Sequence, residues 1–230
     1  MKQQISQLEY HVLDACNFSC KFCAHYSDLH RSSKRVKLED AIQEWLLWSS
    51  RIVPQVFWIL GGEPTIHKDL CSLIVAAKLI WKDSVIGVVT NGTLLERHYA
   101  IGQLLAGNRL AVSMHGTREE EILSNARKTG HPSVEIRQSE ANWQQWYKIV
   151  DGKFQPFEDG DQRSSWKNCN ASQCKILRDG KLWKCPQVAL AKGVGVDWFD
   201  GYSPCSVEDD IAAWVAREDE ACCANCPSTS

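Results

Sequence analysis

Three cysteines near the start of the chain, in Cys16-Asn17-Phe18-Ser19-Cys20-Lys21-Phe22-Cys23, have the spacing C-x3-C-x2-C. Thiolates this close can hold three corners of an iron–sulfur cubane from one loop. Such clusters ordinarily take four cysteines, so a three-cysteine loop implies one iron open to a substrate or cofactor. The same spacing also suits a zinc loop, which would need a fourth ligand such as His25 or a distant cysteine. Seven of the eleven cysteines follow from Cys169 onward, and the chain ends in Cys222-Cys223-Ala224-Asn225-Cys226 before Pro227. Met1-Lys2-Gln3-Gln4-Ile5 lacks the apolar region of a secretory signal, and no apolar run approaches the ~20 residues of a membrane helix. These features predict a cytoplasmic protein that does not enter a membrane. In a reducing compartment, eleven thiols mean metal ligation or redox chemistry before disulfides, and an odd count argues against full pairing.

The elements that must position these thiols follow from periodicity. Leu8–Leu13 is a short, largely apolar strand ending just before Cys16. Leu38, Ala41, Ile42, Trp45 and Leu46 fall on one helical stripe, as do Leu70, Leu73, Ile74, Ala77 and Trp81. Gln55–Leu60 and Val85–Val89 read as strands, stopped by Gly61-Gly62 and Asn91-Gly92 respectively. Leu94–Leu105 and Glu119–Lys128 read as helices, Arg109–Met114 and Val134–Arg137 as strands, and Trp143–Val150 as a helix. Strands alternating with helices predict a parallel sheet with right-handed crossovers. Five such units are too few for a closed eightfold barrel, so the expected fold class is α/β, a partial (β/α) barrel over residues 1–150. Residues 151–168 read as a polar linker, and 151–230 as a second, cysteine-rich region. Within it, Ile176-Leu177, the turn Asp179-Gly180 and Leu182-Trp183 predict a hairpin, and Val207, Ile211, Trp214 and Val215 a last helix.

In parallel α/β architectures the active site gathers at the C-terminal ends of the strands. The suggestive segments all follow strands: Cys16–Cys23, Gly61-Gly62-Glu63-Pro64, Thr90-Asn91-Gly92 and Ser113-Met114-His115-Gly116. Together they resemble the radical S-adenosylmethionine (SAM) superfamily, whose cysteine signature carries an aromatic residue at the place of Phe22. The resemblance implies that Cys16, Cys20 and Cys23 hold a [4Fe–4S] cluster whose open iron binds SAM. Reductive cleavage of SAM would then give a 5′-deoxyadenosyl radical that removes hydrogen from a substrate. It also implies that Gly61, Gly62, Glu63 and Pro64 form the family's GGEP motif, with Glu63 accepting from SAM's ammonium. Thr90 and Asn91 would line the cofactor site, Ser113 would contact SAM, and Arg137 would reach its carboxylate. Gly61 and Gly62 are expected to let the backbone approach that ligand closely. His25 and His115 lie near the site in chain order.

The C-terminal pattern Cys169-x10-Gly180-x4-Cys185, with the late pair Cys223 and Cys226, resembles the SPASM and twitch extensions of that superfamily. It implies one auxiliary [4Fe–4S] cluster on Cys169, Cys185, Cys223 and Cys226, with Cys174 and Cys222 as possible substitutes. Cys205 is left over, and could donate hydrogen to a substrate radical. Cys71 reads as a packing residue. Trp45, Trp81 and Trp214 read as core, whereas Trp143, Trp146, Trp166 and Trp198 could line a substrate pocket.

The expected activity is oxidation of a small molecule such as a sugar alcohol or aminocyclitol, with the auxiliary cluster accepting the substrate's electron. A flavodoxin- or ferredoxin-type donor would supply reducing electrons. The first strand begins near residue 8, which is read as leaving no room for a leader-peptide-binding domain. The other readings are a peptide-modifying maturase or epimerase, and a zinc-binding adaptor that is not an enzyme. Modification of a nucleic-acid base is disfavoured by 26 basic against 28 acidic side chains, a net charge of −2.

Overall fold

The computed structural model describes residues 2–29, 34–138, 146–169, 171–199 and 202–229. The chain divides into two compact units, Met1–Phe18 with Ser32–Trp143, and Ser19–Arg31 with Gln144–Ser230. The second half of the cysteine loop thus packs with the C-terminal region.

The first unit is an α/β layer built on five parallel strands. In chain order these are β1 (Gln3–His11), β2 (Ile52–Leu60), β3 (Val85–Thr90), β4 (Arg109–Met114) and β5 (Val134–Gln138). Their spatial order is β5-β4-β3-β2-β1, so each strand pairs with its neighbour in sequence through a crossover. The crossovers carry α1 (Leu38–Ser49), α2 (Leu70–Ile80), α3 (Ile101–Leu104) and α4 (Glu119–Lys128). One face of the sheet is apolar and meets the helices: Tyr10 and Phe57 pack their rings against Trp45 of α1, and Phe57 stacks on Trp81 just past α2. Burial of these rings from water is the main force holding this layer together.

α1 starts without a side-chain cap, and Glu39 and Asp40 in its first turn complement the helix dipole instead. Its buried stripe is Ala41, Trp45 and Trp48. The expected stripe residue Leu46 is 56% exposed, because after Trp45 the inward step of the 3.6-residue repeat falls on Trp48. The segment expected to be one helix over 94–105 is two short turns, Leu95–His98 and α3.

In the second unit, the helix expected over Trp143–Val150 is not formed where the chain is described, and Trp143 itself lies outside the described residues. Lys148–Val150 is a strand, β6, paired antiparallel with β7 (Lys153–Gln155). The turn between them, Asp151-Gly152, has φ of +51° and +73° at its two centres, the mirror-image turn that an Asp-Gly pair favours. The stretch read as linker ends in a helix, α5 (Gln162–Asn168), capped by the Asp161 carboxylate, which accepts from Ser164 N at 3.0 Å. The hairpin forms as expected, from β8 (Cys174–Arg178) and β9 (Lys181–Trp183), around Asp179-Gly180 at φ +55° and +74°. Then follow α6 (Pro186–Ala191), α7 (Ile211–Ala216) and a last 3-10 turn, Ala221–Asn225. Tyr26, Trp146, Tyr147, Val188, Leu190, Val196, Phe199 and Cys226 form this unit's apolar core. Among the described residues no helix is long and apolar enough to cross a membrane.

Candidate functional site

In the first unit the chain leaves β1 and runs beside the end of β2, hydrogen bonded from Val12 N to Leu60 O, Gly62 N to Leu13 O and Glu63 N to Ala15 O, each at 2.9 Å. A Cβ on Gly61 would lie 2.3 Å from Leu13 O, and one on Gly62 would lie 2.2 Å from Ala15 O. Both glycines are therefore required by the backbone that delivers Cys16. Pro64 opens a 3-10 turn, Pro64–Ile66, which Glu63 caps by accepting from Thr65 N at 3.0 Å.

Glu63 is completely buried. Its Oε1 also accepts from Thr65 Oγ1 at 2.5 Å and Thr90 Oγ1 at 2.6 Å, while Oε2 accepts from Asn91 N at 2.7 Å. Three of these four donors crowd Oε1, and Oε2 takes one, so with about two acceptor positions per carboxylate oxygen Oε2 can accept a further donor. Within the protein the carboxylate ties the GGEP turn to the Thr90-Asn91-Gly92 turn. Burial raises its pKa, against the pull of those hydrogen bonds in the other direction.

Asn91 then passes the order on to the first cysteine. Its Nδ2 donates to Asn17 Oδ1 at 2.8 Å and lies 3.9 Å from Cys16 Sγ, while Phe18 N points at the same sulfur from 3.3 Å. Its Oδ1 accepts from Thr93 N and Oγ1, and Asn17 Nδ2 donates to Thr93 Oγ1 at 2.7 Å. Gly92 takes φ +76°, which lets its N–H return to Thr90 Oγ1. Asn125 of α4 donates to the carbonyls of Gly92 and Thr93. Asn17, Thr65, Thr93 and Asn125 complete this hydrogen-bonded cluster, and the sequence reading did not single them out. Asn17 and Thr93 adjoin motif positions, whereas nothing local marks Asn125.

Ser113 and Arg137 are register partners on β4 and β5. Arg137 is committed elsewhere than to the turn cluster: its Nε donates to Glu135 Oε1 at 2.8 Å, and its guanidinium lies 4.7 Å from the centre of the Trp58 ring. His115 meets Phe18 edge-on at 5.7 Å.

Cys20, Phe22, Cys23 and His25 belong to the second unit. Cys20 and Cys23 are joined by a turn, Cys23 N to Cys20 O at 3.2 Å, followed by Tyr26 N to Cys23 O at 2.9 Å. Phe22 has φ +60° and packs edge-on to Tyr147 at 5.5 Å. The aromatic position of the motif is thus a packing anchor within its own unit.

The second unit holds a narrow pocket with a cavity volume of about 20 Å³, lined by the sulfur-bearing residues Cys169, Cys185, Cys222, Cys223 and Cys226. Trp146, Trp166, Phe199 and Tyr202 complete its wall, with Lys184 and Glu220. Lys184 Nζ meets Glu220 Oε1 at 2.8 Å and also the carbonyl of Arg217. The pair ties the residue before Cys185 to the segment that carries the last three thiols. Burial pushes the Cys169 thiol up to about 11 and Cys226 to about 12, and Cys185 up as well. Cys222, hydrogen bonded to Cys223, is also pushed up, while that bond brings Cys223 down to about 7. Buried thiols crowded together resist becoming thiolates unless a cation is present. This all-sulfur donor set therefore fits a thiophilic metal or iron–sulfur cluster.

Cys174, expected as a substitute ligand, opens β8 and is not among the residues lining this pocket. Cys205 is fully buried, its backbone paired both ways with Leu182 and its Sγ 3.4 Å from Ser206 O. Its thiol has no exposed surface in this structure. Trp146 and Trp166 line the cysteine pocket, whereas Trp198 packs against the core and accepts from Asn225 at its carbonyl.

The model of the Radical SAM superfamily matches residues 10–145. A probable GTP 3′,8-cyclase of Pyrobaculum aerophilum is 28% identical over 136 residues, 59% of this chain and 42% of that protein. One of Thermococcus kodakarensis is 24% identical over 190 residues, 82% of this chain and 54% of its own length. The chain thus spans about half the length, or less, of these curated relatives. Among solved structures, BtrN in complex with AdoMet and 2-DOIA superposes with a TM-score of 0.62 at 14% identity, covering 98% of this chain and 94% of BtrN. SeMet BtrN in an open conformation gives a TM-score of 0.56 over the same shares. The BtrN likeness is one of fold, and it extends through the cysteine-rich unit as well as the parallel sheet. With the matched region running from β1 past β5 and containing Cys16, Cys20, Cys23, Glu63 and Asn91, this chain belongs to the radical SAM superfamily.

Proposed function

We propose that the protein is a radical SAM enzyme that acts on a small molecule of the sugar-alcohol or aminocyclitol kind and performs a net oxidation. Cys16, Cys20 and Cys23 would hold the SAM-binding [4Fe–4S] cluster. Cys169, Cys185 and Cys226, with Cys223 or Cys222, would hold an auxiliary one. When bound, the first cluster supplies the electron that cleaves SAM, and the second offers a sink for the substrate's electron. The chain's own part is to orient and to exclude water. Asn91 and Phe18 N direct donors at the Cys16 sulfur, and Glu63 keeps the turns bearing Asn91 and Pro64 in one arrangement. Lys184 and Glu220 brace the two segments that bring the late thiols together.

The observation that carries this reading is the convergence of five thiols on one pocket in a chain that also carries the superfamily's three-cysteine loop. The BtrN fold likeness supports a small-molecule substrate, since that structure contains 2-DOIA beside AdoMet. The reading also takes a flavodoxin- or ferredoxin-type protein as electron source.

Anaerobic purification tests it. We expect brown protein with about eight irons per chain, the number for two cubanes, and 5′-deoxyadenosine release on reduction with SAM present. Colourless protein carrying stoichiometric zinc would overturn the proposal. For the oxidation, one SAM should be consumed per product. Catalytic SAM turnover, or solvent deuterium entering an unoxidised product, would place the enzyme among isomerases or epimerases instead.

A further inference from the structure

Parallel sheets are usually apolar on both faces. In the first unit the face turned away from the helices is mixed: Val56, Leu60, Val89 and Ala111 pack with Trp58, and polar side chains stand among them. Strand alternation and the parallel register place Gln7, Trp58, Gly87, Arg109, Ser113, Glu135 and Arg137 together on it. Trp58 lies flat across β3 at Gly87, where an added Cβ would come within 2.1 Å of the ring. Its Nε1 donates to Gln7 Oε1 at 2.8 Å, which fixes the ring's direction. Arg109 and Arg137 each stack a guanidinium on this ring, at 4.7 Å from its centre. Glu135 joins them, accepting from Arg109 Nη2 at 2.5 Å and from Arg137 Nε at 2.8 Å.

Two guanidiniums share the one carboxylate of Glu135 in this cluster, while Glu9, the register partner of Trp58, faces the same side with β2 and β3 between it and Arg109. Their side chains remain 41% and 36% exposed. Each guanidinium has five donors in a planar fork suited to oxyanions, and Glu135 takes only part of them. Trp58 sits two residues before the end of β2, roughly 7 Å below the strand ends at 3.3 Å per residue.

We propose that Arg109 and Arg137, presented on the Trp58–Gly87 platform, bind an oxyanion group, phosphate or carboxylate, of the substrate. That group would anchor the end of the molecule away from the reacting carbon, leaving the carbon at the strand ends. The inference rests on the small-molecule reading above and narrows it to an anionic substrate.

Titration calorimetry on the anaerobically purified holoprotein tests it, with sodium pyrophosphate and tricarballylate as probes against sodium chloride at equal ionic strength. Binding of either probe supports the site, and their ratio distinguishes phosphate from carboxylate. Arg109→Gln and Arg137→Gln should each weaken binding by about ten- to hundredfold, the value of a charge-assisted hydrogen bond. Glu135→Gln should tighten it, because the competing carboxylate is removed; a purely structural brace would gain nothing. This gain decides the matter if an arginine variant proves unfolded by circular dichroism. SAM affinity should be unchanged in all three variants. The proposal is overturned if neither probe binds, if binding ignores these substitutions, or if SAM binding falls with probe binding, which would assign the arginines to the SAM carboxylate. Iron content and 5′-deoxyadenosine release are read separately, so failure here leaves the radical SAM reading standing.

Discussion

The turn cluster around Glu63 and the thiol pocket around Cys185 are both enclosed, but they reach that state by opposite routes. Around Glu63, the protein supplies its own donors: the two threonine hydroxyls and two backbone N–H groups meet one carboxylate, and Asn91, Asn17 and Thr93 close the remaining ring of hydrogen bonds. A network satisfied in this way is rigid with or without a ligand. Around Cys185, five cysteines line one pocket together with aromatic side chains, and burial drives the pKa values of Cys169, Cys185 and Cys226 upward. That arrangement gains its full stability only when a metal takes the sulfurs as thiolates. The first region is ordered by hydrogen bonds the protein supplies itself, and the second holds the donor set that the proposed auxiliary cluster would use.

The sharpest way to break this contrast is to remove one thiol from each region. Cys16→Ala should abolish 5′-deoxyadenosine formation and lower iron from about eight to about four per chain. Cys185→Ala should remove the other half of the iron and leave the SAM-cleaving half. If either variant loses all the iron, the two centres are not independent.

Next in size is Glu63→Ala, which strands two hydroxyls and two N–H groups in a buried site. A loss of about 3 kcal/mol or more is expected from anaerobic urea denaturation, with Glu63→Gln retaining part of it. A small loss would show that the network rearranges around the vacancy.

Gly62→Ala forces a methyl against Ala15 O and should cost about 1–3 kcal/mol, with weaker retention of the first cluster's iron. Cys205→Ser should leave the iron count unchanged. A drop in iron would return Cys205 to the ligand set. The smallest effect is expected from Asp161→Ala, about 1 kcal/mol from loss of the α5 cap, read as a shift in the urea midpoint with the iron content retained.

Much of this was legible in the chain. Strand positions followed from short apolar runs stopped by glycine, and the hairpin from Asp179-Gly180. Asp151-Gly152 carries the same turn signal, yet Trp143–Val150 before it reads as a helix, and the structure has β6 at its end instead. Leu46 was misplaced because an apolar residue next to a stripe is indistinguishable from one on it until a neighbour packs there.

By itself the sequence determined which residue types could do chemistry and their order after the strands: Cys16, Cys20 and Cys23, then Glu63, then Asn91, then the late thiols. Spacing along a chain fixes that order, since strands and helices have set lengths. Only the tertiary structure decided what each residue touches. It set Gly61 and Gly62 against the backbone before Cys16, gave Glu63 four donors from its neighbouring turns, set Arg137 beside Arg109 on Trp58, and withdrew Cys205 from solvent. Those outcomes depend on strand register and on donors supplied by segments distant in sequence, and a motif carries neither.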